Sequence, residues 1–222
     1  MPRKMSLNLQ PPITYLITGG KTTAATTTSS KEFLQILKLI EAAVAAGIGL
    51  IQIREKQVTT RVVYELALSA AAITRGSATG LLINDRADIA AAAGADGVHL
   101  TTSSLDAAVI RRHFGPDILI GVSTHSRAEA RQARADDADF VVFGPVFEIL
   151  SKQTYGAANG LDKLKEVALD LAPFPVLALG GVATENARDC FHAGAAGIAG
   201  ISLFDQTRDL QSIVSLVHDS SR

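Results

Sequence analysis

Tryptophan is absent from the 222 residues, and aromatic side chains make up only 5 % of them. A platform that stacks exposed bases is therefore not expected. Cysteine occurs once, at Cys190, so the chain can hold neither an internal disulfide nor a cysteine metal cluster. The stretch Ala187–His192 around it reads as helix, which makes Cys190 a buried structural thiol rather than a nucleophile. Neither sign of charge predominates. Lys and Arg number 21 against 22 Asp and Glu, a formal charge of −1, and a nucleic-acid protein would normally carry a basic face. No apolar run reaches the roughly 18 residues that a membrane span needs. Met1–Pro12 contains Arg3 and Lys4 but no apolar core behind them, unlike a secretory signal. It is expected to be a flexible N-terminal segment, and the expected setting is cytoplasmic.

What is present is a chain for one domain. Hydrophobic residues are 47 % and charged residues 19 %, which excludes a disordered protein. A chain of this length buries roughly 70 % of its unfolded surface and needs no staples. Eight short apolar runs read as strands: Ile13–Thr18, Leu50–Arg54, Gly80–Asn84, Gly97–Leu100, Ile118–Ser123, Phe140–Phe143, Pro175–Leu179 and Gly197–Ile201. They are nearly continuous rather than alternating, as strands buried on both faces require. Amphipathic stretches separate them, among them Lys31–Ala46, Arg61–Arg75, Ser104–Phe114, Arg127–Ala135, Leu161–Leu171 and Thr184–Ala193. Asp88–Ala93 has room for only a short helical turn, and Lys21–Ser30 reads as an exposed loop.

One junction recurs. Gly47-Ile48-Gly49, Gly94-Ala95-Asp96-Gly97, Asp137-Ala138-Asp139 and Gly194-Ala195-Ala196-Gly197 each end a helix and enter a strand. Glycine suits the left-handed residue that stops a helix, and Asp137 takes its place in the third copy. Repeated βα units with right-handed crossovers point to a single-domain (β/α)8 barrel. A doubly wound open sheet is the alternative. It lacks support in the first βα turn, Thr18-Gly19-Gly20-Lys21-Thr22-Thr23, which has no dinucleotide fingerprint.

In such a barrel, polar residues at the C-terminal strand ends converge on one mouth, where catalysis occurs. Gln52, Arg54 and Lys56 alternate with Ile53 and Glu55 and so share the inward side. Interior charges are costly unless paired or liganded. Arg54 and Lys56, with Lys152 after strand six, form a candidate anion site. The plainer alternative is an Arg54–Asp85 ion pair beside a solvated Lys56. Gly180-Gly181 after strand seven and Gly200-Ile201-Ser202 on strand eight match the usual barrel phosphate site, although a Gly-Gly pair is also a common turn. Asn84-Asp85 offers oxygen ligands of the kind Mg²⁺ takes, unless Asp85 merely caps a helix. His99 and His125 belong to no zinc pattern. His99 is a hydrogen-bonded interior histidine or a ligand contact, and His125 is a candidate for proton transfer.

Six motifs in one order carry a family resemblance. They are Gln52-Ile53-Arg54-Glu55-Lys56, Ile83-Asn84-Asp85-Arg86-Ala87-Asp88, Ala95-Asp96-Gly97-Val98-His99-Leu100, Gly121-Val122-Ser123-Thr124-His125, Phe143-Gly144-Pro145-Val146-Phe147 and Leu179-Gly180-Gly181-Val182. From about Tyr15 to Phe204 the chain resembles the thiamine phosphate synthases and their sister branch, the thiazole tautomerases, whose fold is a (β/α)8 barrel. The resemblance implies a transferase that joins hydroxymethylpyrimidine diphosphate to a thiazole phosphate and releases diphosphate. By family position, Arg54, Lys56, Asn84 and Lys152 hold the diphosphate, with Gln52 near the pyrimidine and Asp85 on Mg²⁺. Ser123 and His99 line the same pocket, and Ser151 keeps a hydroxyl ahead of Lys152. Gly180, Gly181 and the Gly200–Ser202 backbone hold the thiazole phosphate. The implied partners are these small phosphorylated substrates, and a homo-oligomer is compatible with the reading.

Two departures bear on chemistry. The synthase pattern after His99-Leu100 ends in an Asp that is a second metal ligand. Here Thr101-Thr102-Ser103-Ser104 puts Ser104 there, which should weaken Mg²⁺ binding. The family's Pro-Thr-x-Thr reads Glu148-Ile149-Leu150-Ser151. Both changes lean toward the tautomerases, in which the residue matching His125 moves a proton on a thiazole carboxylate phosphate. The retained Gln52, Lys56, Asn84, Asp85 and His99 lean toward the synthases. A phosphate-ligand binder without turnover is the third reading.

Overall fold

A computed structural model describes residues 10–148, 158–205 and 209–221. The eight runs form eight strands: β1 Ile13–Ile17, β2 Leu50–Ile53, β3 Gly80–Asn84, β4 Gly97–Leu100, β5 Leu119–Thr124, β6 Phe140–Phe143, β7 Val176–Ala178 and β8 Gly197–Gly200. They pair in parallel in sequence order, and β8 closes on β1 to make a barrel. The open-sheet alternative is thereby excluded. The helices are α1 Lys31–Ala45, α2 Thr60–Thr74, α3 Ala87–Ala93, α4 Ala107–Phe114, α5 Arg127–Ala135, α6 Gly160–Leu171, α7 Ala187–His192 and α8 Leu210–Ser220. Among the described residues no helix is long and apolar enough to cross a membrane.

Strand alternation sorts the side chains into an inner and an outer core. Ile13, Tyr15, Ile17, Leu50, Leu82, Phe140, Val142, Leu177 and Ala199 form one cluster, from alternate positions of their strands. These fill the barrel. The intervening residues, such as Leu16, Ile51, Ile83, Val98, Val141 and Ile198, belong to two clusters shared with the helices. Every strand thus buries both faces, which explains the near-continuous apolar runs. Inward glycines admit the large inner side chains. A Cβ on Gly121 would lie 2.3 Å from Phe140 Cζ, and one on Gly197 would lie 2.2 Å from the Ile13 carbonyl oxygen.

The recurring junction has one geometry. Gly47, Gly94 and Gly194 adopt φ of 79°, 72° and 91°, and Asp137 takes 64° in the same role. Short polar side chains tolerate this left-handed conformation better than most. The end of the barrel opposite the strand C-termini is latched by Arg111 of α4. Its guanidinium donates to the carbonyls of Pro116, Ile118 and Asp137 and to the Asp139 carboxylate.

Two helix starts lie three residues later than the sequence expectation, and one helix is absent from that expectation. Helix α4 starts at Ala107 rather than Ser104, because Ser104 folds back to accept from the Thr101 N–H at 2.8 Å. Helix α7 starts at Ala187 rather than Thr184, after a turn in which Asn186 Oδ1 accepts from the Ala183 N–H. Helix α8 was not anticipated, although its Leu210, Ile213, Val214 and Val217 follow helical spacing and all pack into the outer cores.

Candidate active site

The inward phase of each strand decides what reaches the mouth. Leu50 and Gln52 lead to Arg54, Leu82 leads to Asn84, and Leu119 and Gly121 lead to Ser123. The barrel is apolar in its lower layers and turns polar at the C-terminal strand ends, where function sits in this fold. Gln52 and His99 lie just below the mouth, 1 % and 2 % exposed. Arg54 and Ser123 are half-buried.

One chain of hydrogen bonds crosses this level. Gln52 Nε2 donates to the Tyr15 hydroxyl at 2.9 Å. That hydroxyl lies 3.1 Å from His99 Nδ1, and His99 Nε2 lies 2.8 Å from Ser123 Oγ. Phe140 packs edge-on against the Tyr15 ring at 5.6 Å and 81°. Burial, with the nearby Arg54 charge, pushes the His99 imidazole down to about 3, so it is neutral across the physiological range. Burial raises the Tyr15 phenol well above its ordinary value, so it remains protonated. The sequence placed Gln52, His99 and Ser123 together but missed Tyr15. Its only signal was the inward phase of β1, hidden inside a uniformly buried strand.

Beside this level is a cleft of about 330 Å³ that brings together Lys56, Asn84, Asp85, Arg86, Thr101 and Ser103. Neither Arg54 nor Lys56 forms an ion pair with a described residue, and the plain Arg54–Asp85 pairing is not observed. Two cations at a strand end without an ion-pair partner among the described residues suit an anionic ligand. Arg86 is different. It grips Asp88 with two hydrogen bonds, at 2.8 and 2.6 Å. Asp85 does not cap α3: the N-cap is Arg86, with no side-chain cap bond. Asp85 has φ of 60°, a conformation costing about 1 kcal/mol or more that persists mainly where function or surroundings demand it.

The donor set here bears on a divalent cation. Asn84 Oδ1 is buried without a hydrogen-bond partner, and the exposed Asp85 carboxylate follows it directly. Ser104 supplies no carboxylate, and its hydroxyl is occupied by the Thr101 N–H. No group of three or more His, Cys, Asp or Glu residues gathers among the described residues. One carboxylate fits a Mg²⁺ that arrives with substrate phosphates, since that ion commonly takes one or two carboxylates plus phosphate oxygens. It does not fit a cation held by protein alone.

On the opposite rim, Gly180 and Gly181 adopt φ of 94° and 65°. A Cβ on either would strike Pro145 or Phe147 at 2.6–2.7 Å, so both glycines are also required by the packing of the segment after β6. Gly200 ends β8, and Ile201 leads into a short 3-10 turn, Ser202–Phe204. Lys21 pairs with Asp205 at 2.5 Å, joining the β1–α1 loop to this rim. A second residue missed in the sequence is Glu55, 5 % exposed. Its carboxylate accepts from the Gly20 N–H, the Thr22 N–H and, at 2.6 Å, the Thr22 hydroxyl, pinning the loop that had read as simply exposed. His125 is exposed after β5, and its Nδ1–H donates to the Gly144 carbonyl at 2.7 Å, leaving Nε2 for other contacts. Ser151 and Lys152 lie outside the described residues, as do residues 1–9 of the N-terminal segment. Cys190 is buried in the outer core, its thiol pushed up to about 12 by burial and then by Asp189.

The chain resembles one group of known proteins in both sequence and structure. Residues 15–204 match the family model described as thiamine monophosphate synthase. The chain is 38 % identical over 190 residues to the thiamine-phosphate synthase of Chloroflexus aurantiacus, covering 82 % of this chain and 87 % of that one. It is 34 % identical to the thiamine-phosphate synthase of Natronomonas pharaonis, with 88 % of each covered. Among solved structures, thiamine phosphate pyrophosphorylase from Pyrococcus furiosus superposes with a TM-score of 0.80 at 27 % identity, covering 96 % of this chain and 98 % of that one.

Proposed function

Because this chain belongs to the thiamine monophosphate synthase family, we propose that it is a thiamine-phosphate synthase of thiamine biosynthesis. The substrates are the pyrimidine diphosphate and thiazole phosphate of that reaction. The bond between the pyrimidine methylene carbon and the diphosphate oxygen breaks, and the electron pair leaves with diphosphate. The thiazole nitrogen lone pair then closes on the methylene cation, and the positive charge ends on the thiazolium ring. No proton need be gained or lost.

The observation that carries this reading is the pair of cations on one strand end, Arg54 and Lys56, neither with an ion-pair partner among the described residues, with Lys56 sharing a cleft with Asn84 and Asp85. Departing diphosphate gathers negative charge, and preorganised cations in a partly dry site stabilise charge as it develops. Lys152 would add a third cation from the segment after β6. Asp85 would hold a Mg²⁺ carried by the diphosphate, and that ion would neutralise leaving-group charge. The neutral His99 and its hydrogen-bonded neighbours hold the floor of the pocket rigid. The Gly180–Gly181 and Gly200–Ser202 rim is the proposed berth for the thiazole phosphate.

The test is to mix both substrates with the protein, with and without Mg²⁺, and to assay thiamine phosphate and diphosphate. Product in equal amounts, accelerated by Mg²⁺ and strongly reduced by Lys152→Ala, is expected. Absence of product at saturating substrates with Mg²⁺ refutes the reading. If proton exchange on a thiazole carboxylate phosphate appeared instead, and vanished in His125→Ala, the activity would be that of the tautomerase branch. Ser104→Asp restores a second carboxylate and is expected to lower the Mg²⁺ concentration for half-maximal rate roughly tenfold, a charge effect worth about 1.4 kcal/mol. An unchanged Mg²⁺ response would show that Ser104 does not face the metal.

A further inference from the structure

We propose that Tyr15 is a positioning residue that makes Ser123 a hydrogen-bond donor to the bound substrate, acting through the tautomer of His99. The argument follows the protons. The Tyr15 hydroxyl accepts from Gln52 Nε2 at 2.9 Å, so its own single proton points elsewhere. Among the described residues, the other partner within reach is His99 Nδ1, at 3.1 Å. Nδ1 then accepts, and the proton of the neutral ring sits on Nε2. Nε2–H donates to Ser123 Oγ at 2.8 Å. Ser123 has now received a proton and must place its own elsewhere. It is half-buried on an inward strand position, with the mouth in front of it. Its proton is therefore presented to an acceptor there, such as a ring-nitrogen lone pair or a phosphate oxygen of the substrate.

The arrangement is held by packing as well as by hydrogen bonds. Tyr15 is fully buried and wedged against both His99 and Phe140. Gly121, paired with His99 across β4 and β5, leaves the space in which the imidazole lies. A His99 ring with its proton on Nδ1 would reverse both bonds of the imidazole, while Gln52 Nε2 would still donate to Tyr15. Ser123 would then donate backward to His99 and offer only lone pairs to the substrate.

The role assigned to the substrate rests on the synthase reading, whereas the direction of the chain does not. ¹⁵N spectra of histidine-labelled protein without substrate, with the His99 signals assigned by their loss in His99→Gln, should show the Nε2–H tautomer. An Nδ1–H ring overturns the inference whether or not turnover is seen. In Tyr15→Phe, the ring remains and the donor is lost, so the His99 signals should shift toward a mixture of tautomers. Turnover should fall about tenfold, the loss of one hydrogen bond converted to a rate, chiefly in kcat. In a Ser123→Ala background the same substitution should cost nothing further, because the two residues act as one unit. Additive losses would show that Tyr15 acts by some other route. If the wild-type protein makes no thiamine phosphate, the synthase reading fails, and the tautomer still decides the direction of the chain.

Discussion

Gly121→Ala tests whether the barrel is full at the level of the hydrogen-bonded chain. A single methyl group would be added on the inner face of β5. It would sit 2.3 Å from Phe140 Cζ and 2.8 Å from both Phe140 Cε2 and His99 Nδ1. Carbon atoms rest at about 3.5–4.0 Å, so the Phe140 ring must retreat by about 1 Å or more. Phe140 is fully buried and already in contact with Tyr15 and His99. Overpacking of this kind costs about 1–3 kcal/mol. Displacing His99 also weakens its bonds to Tyr15 and Ser123, adding about 1 kcal/mol. The smaller unfolded-state entropy of alanine returns about 0.4–1 kcal/mol, so steric repulsion decides the sign. A net loss of about 1–3.5 kcal/mol is expected, which for a chain of this size lowers Tm by roughly 2–14 °C. The assays are thermal and denaturant unfolding, together with kcat, which should fall because Ser123 loses its fixed partner. A variant with unchanged Tm and unchanged kcat would refute the reasoning that this layer has no room.

Other perturbations separate stability from chemistry. Arg111→Met removes the donor of four contacts at the end of the barrel away from the mouth. It should cost about 3 kcal/mol, as when a largely buried charge network is broken, and leave kcat unchanged in the remaining folded protein. Denaturant midpoints read with activity check this. His99 imposes a pH dependence: its folded value near 3 lies below the ordinary 6.5, so the unfolded state binds the extra proton. Its contribution is therefore whole above pH 6.5 and lost as pH falls toward 3, at up to about 1.4 kcal/mol per pH unit. His99→Gln should show a shallower fall in stability between pH 6 and 4 than wild type, and parallel curves would contradict the shift. Glu55→Ala leaves the Gly20 and Thr22 donors without their acceptor. Faster amide exchange in residues 20–26 is expected, with unchanged protection at the Arg111 end.

The outline of the fold was legible because a closed parallel barrel writes itself twice into a sequence. Both faces of each strand are buried, which yields the short unbroken apolar runs. Each helix must also stop and turn, which yields Gly47, Gly94 and Gly194, with Asp137 as the exception that adopts the same backbone. The mouth was legible where a polar residue interrupts an apolar strand end, as at Gln52, Arg54, Asn84 and Ser123. Tyr15 was not, because a phenol in an apolar strand looks like core until its hydroxyl is seen between Gln52 and His99. Glu55 was read as facing away from the site, as it does, but its grip on Gly20 and Thr22 depends on a loop from another strand. Arg111 acts on carbonyls of residues 116–137, which no local pattern reveals. The late start of α7 came from Asn186, whose side chain completes a turn where helix had been expected.

The division of the outer core has a consequence for how the chain acquires its shape during synthesis. The cluster that begins with Leu16 and runs through α1, α2 and α3 is completed by Phe204, Leu210 and Val214, whereas the other is drawn almost wholly from residues 87–198 with Val217. The half translated first is thus the half that waits longest for its last partners. The apolar faces that meet Phe204, Leu210 and Val214 stay open until the last turn and α8 have left the ribosome. The later half can gather most of its own core as it emerges. Barrel closure through β1 and β8 is then the final event, and chaperone dependence should centre on the segment spanning β1 to α2.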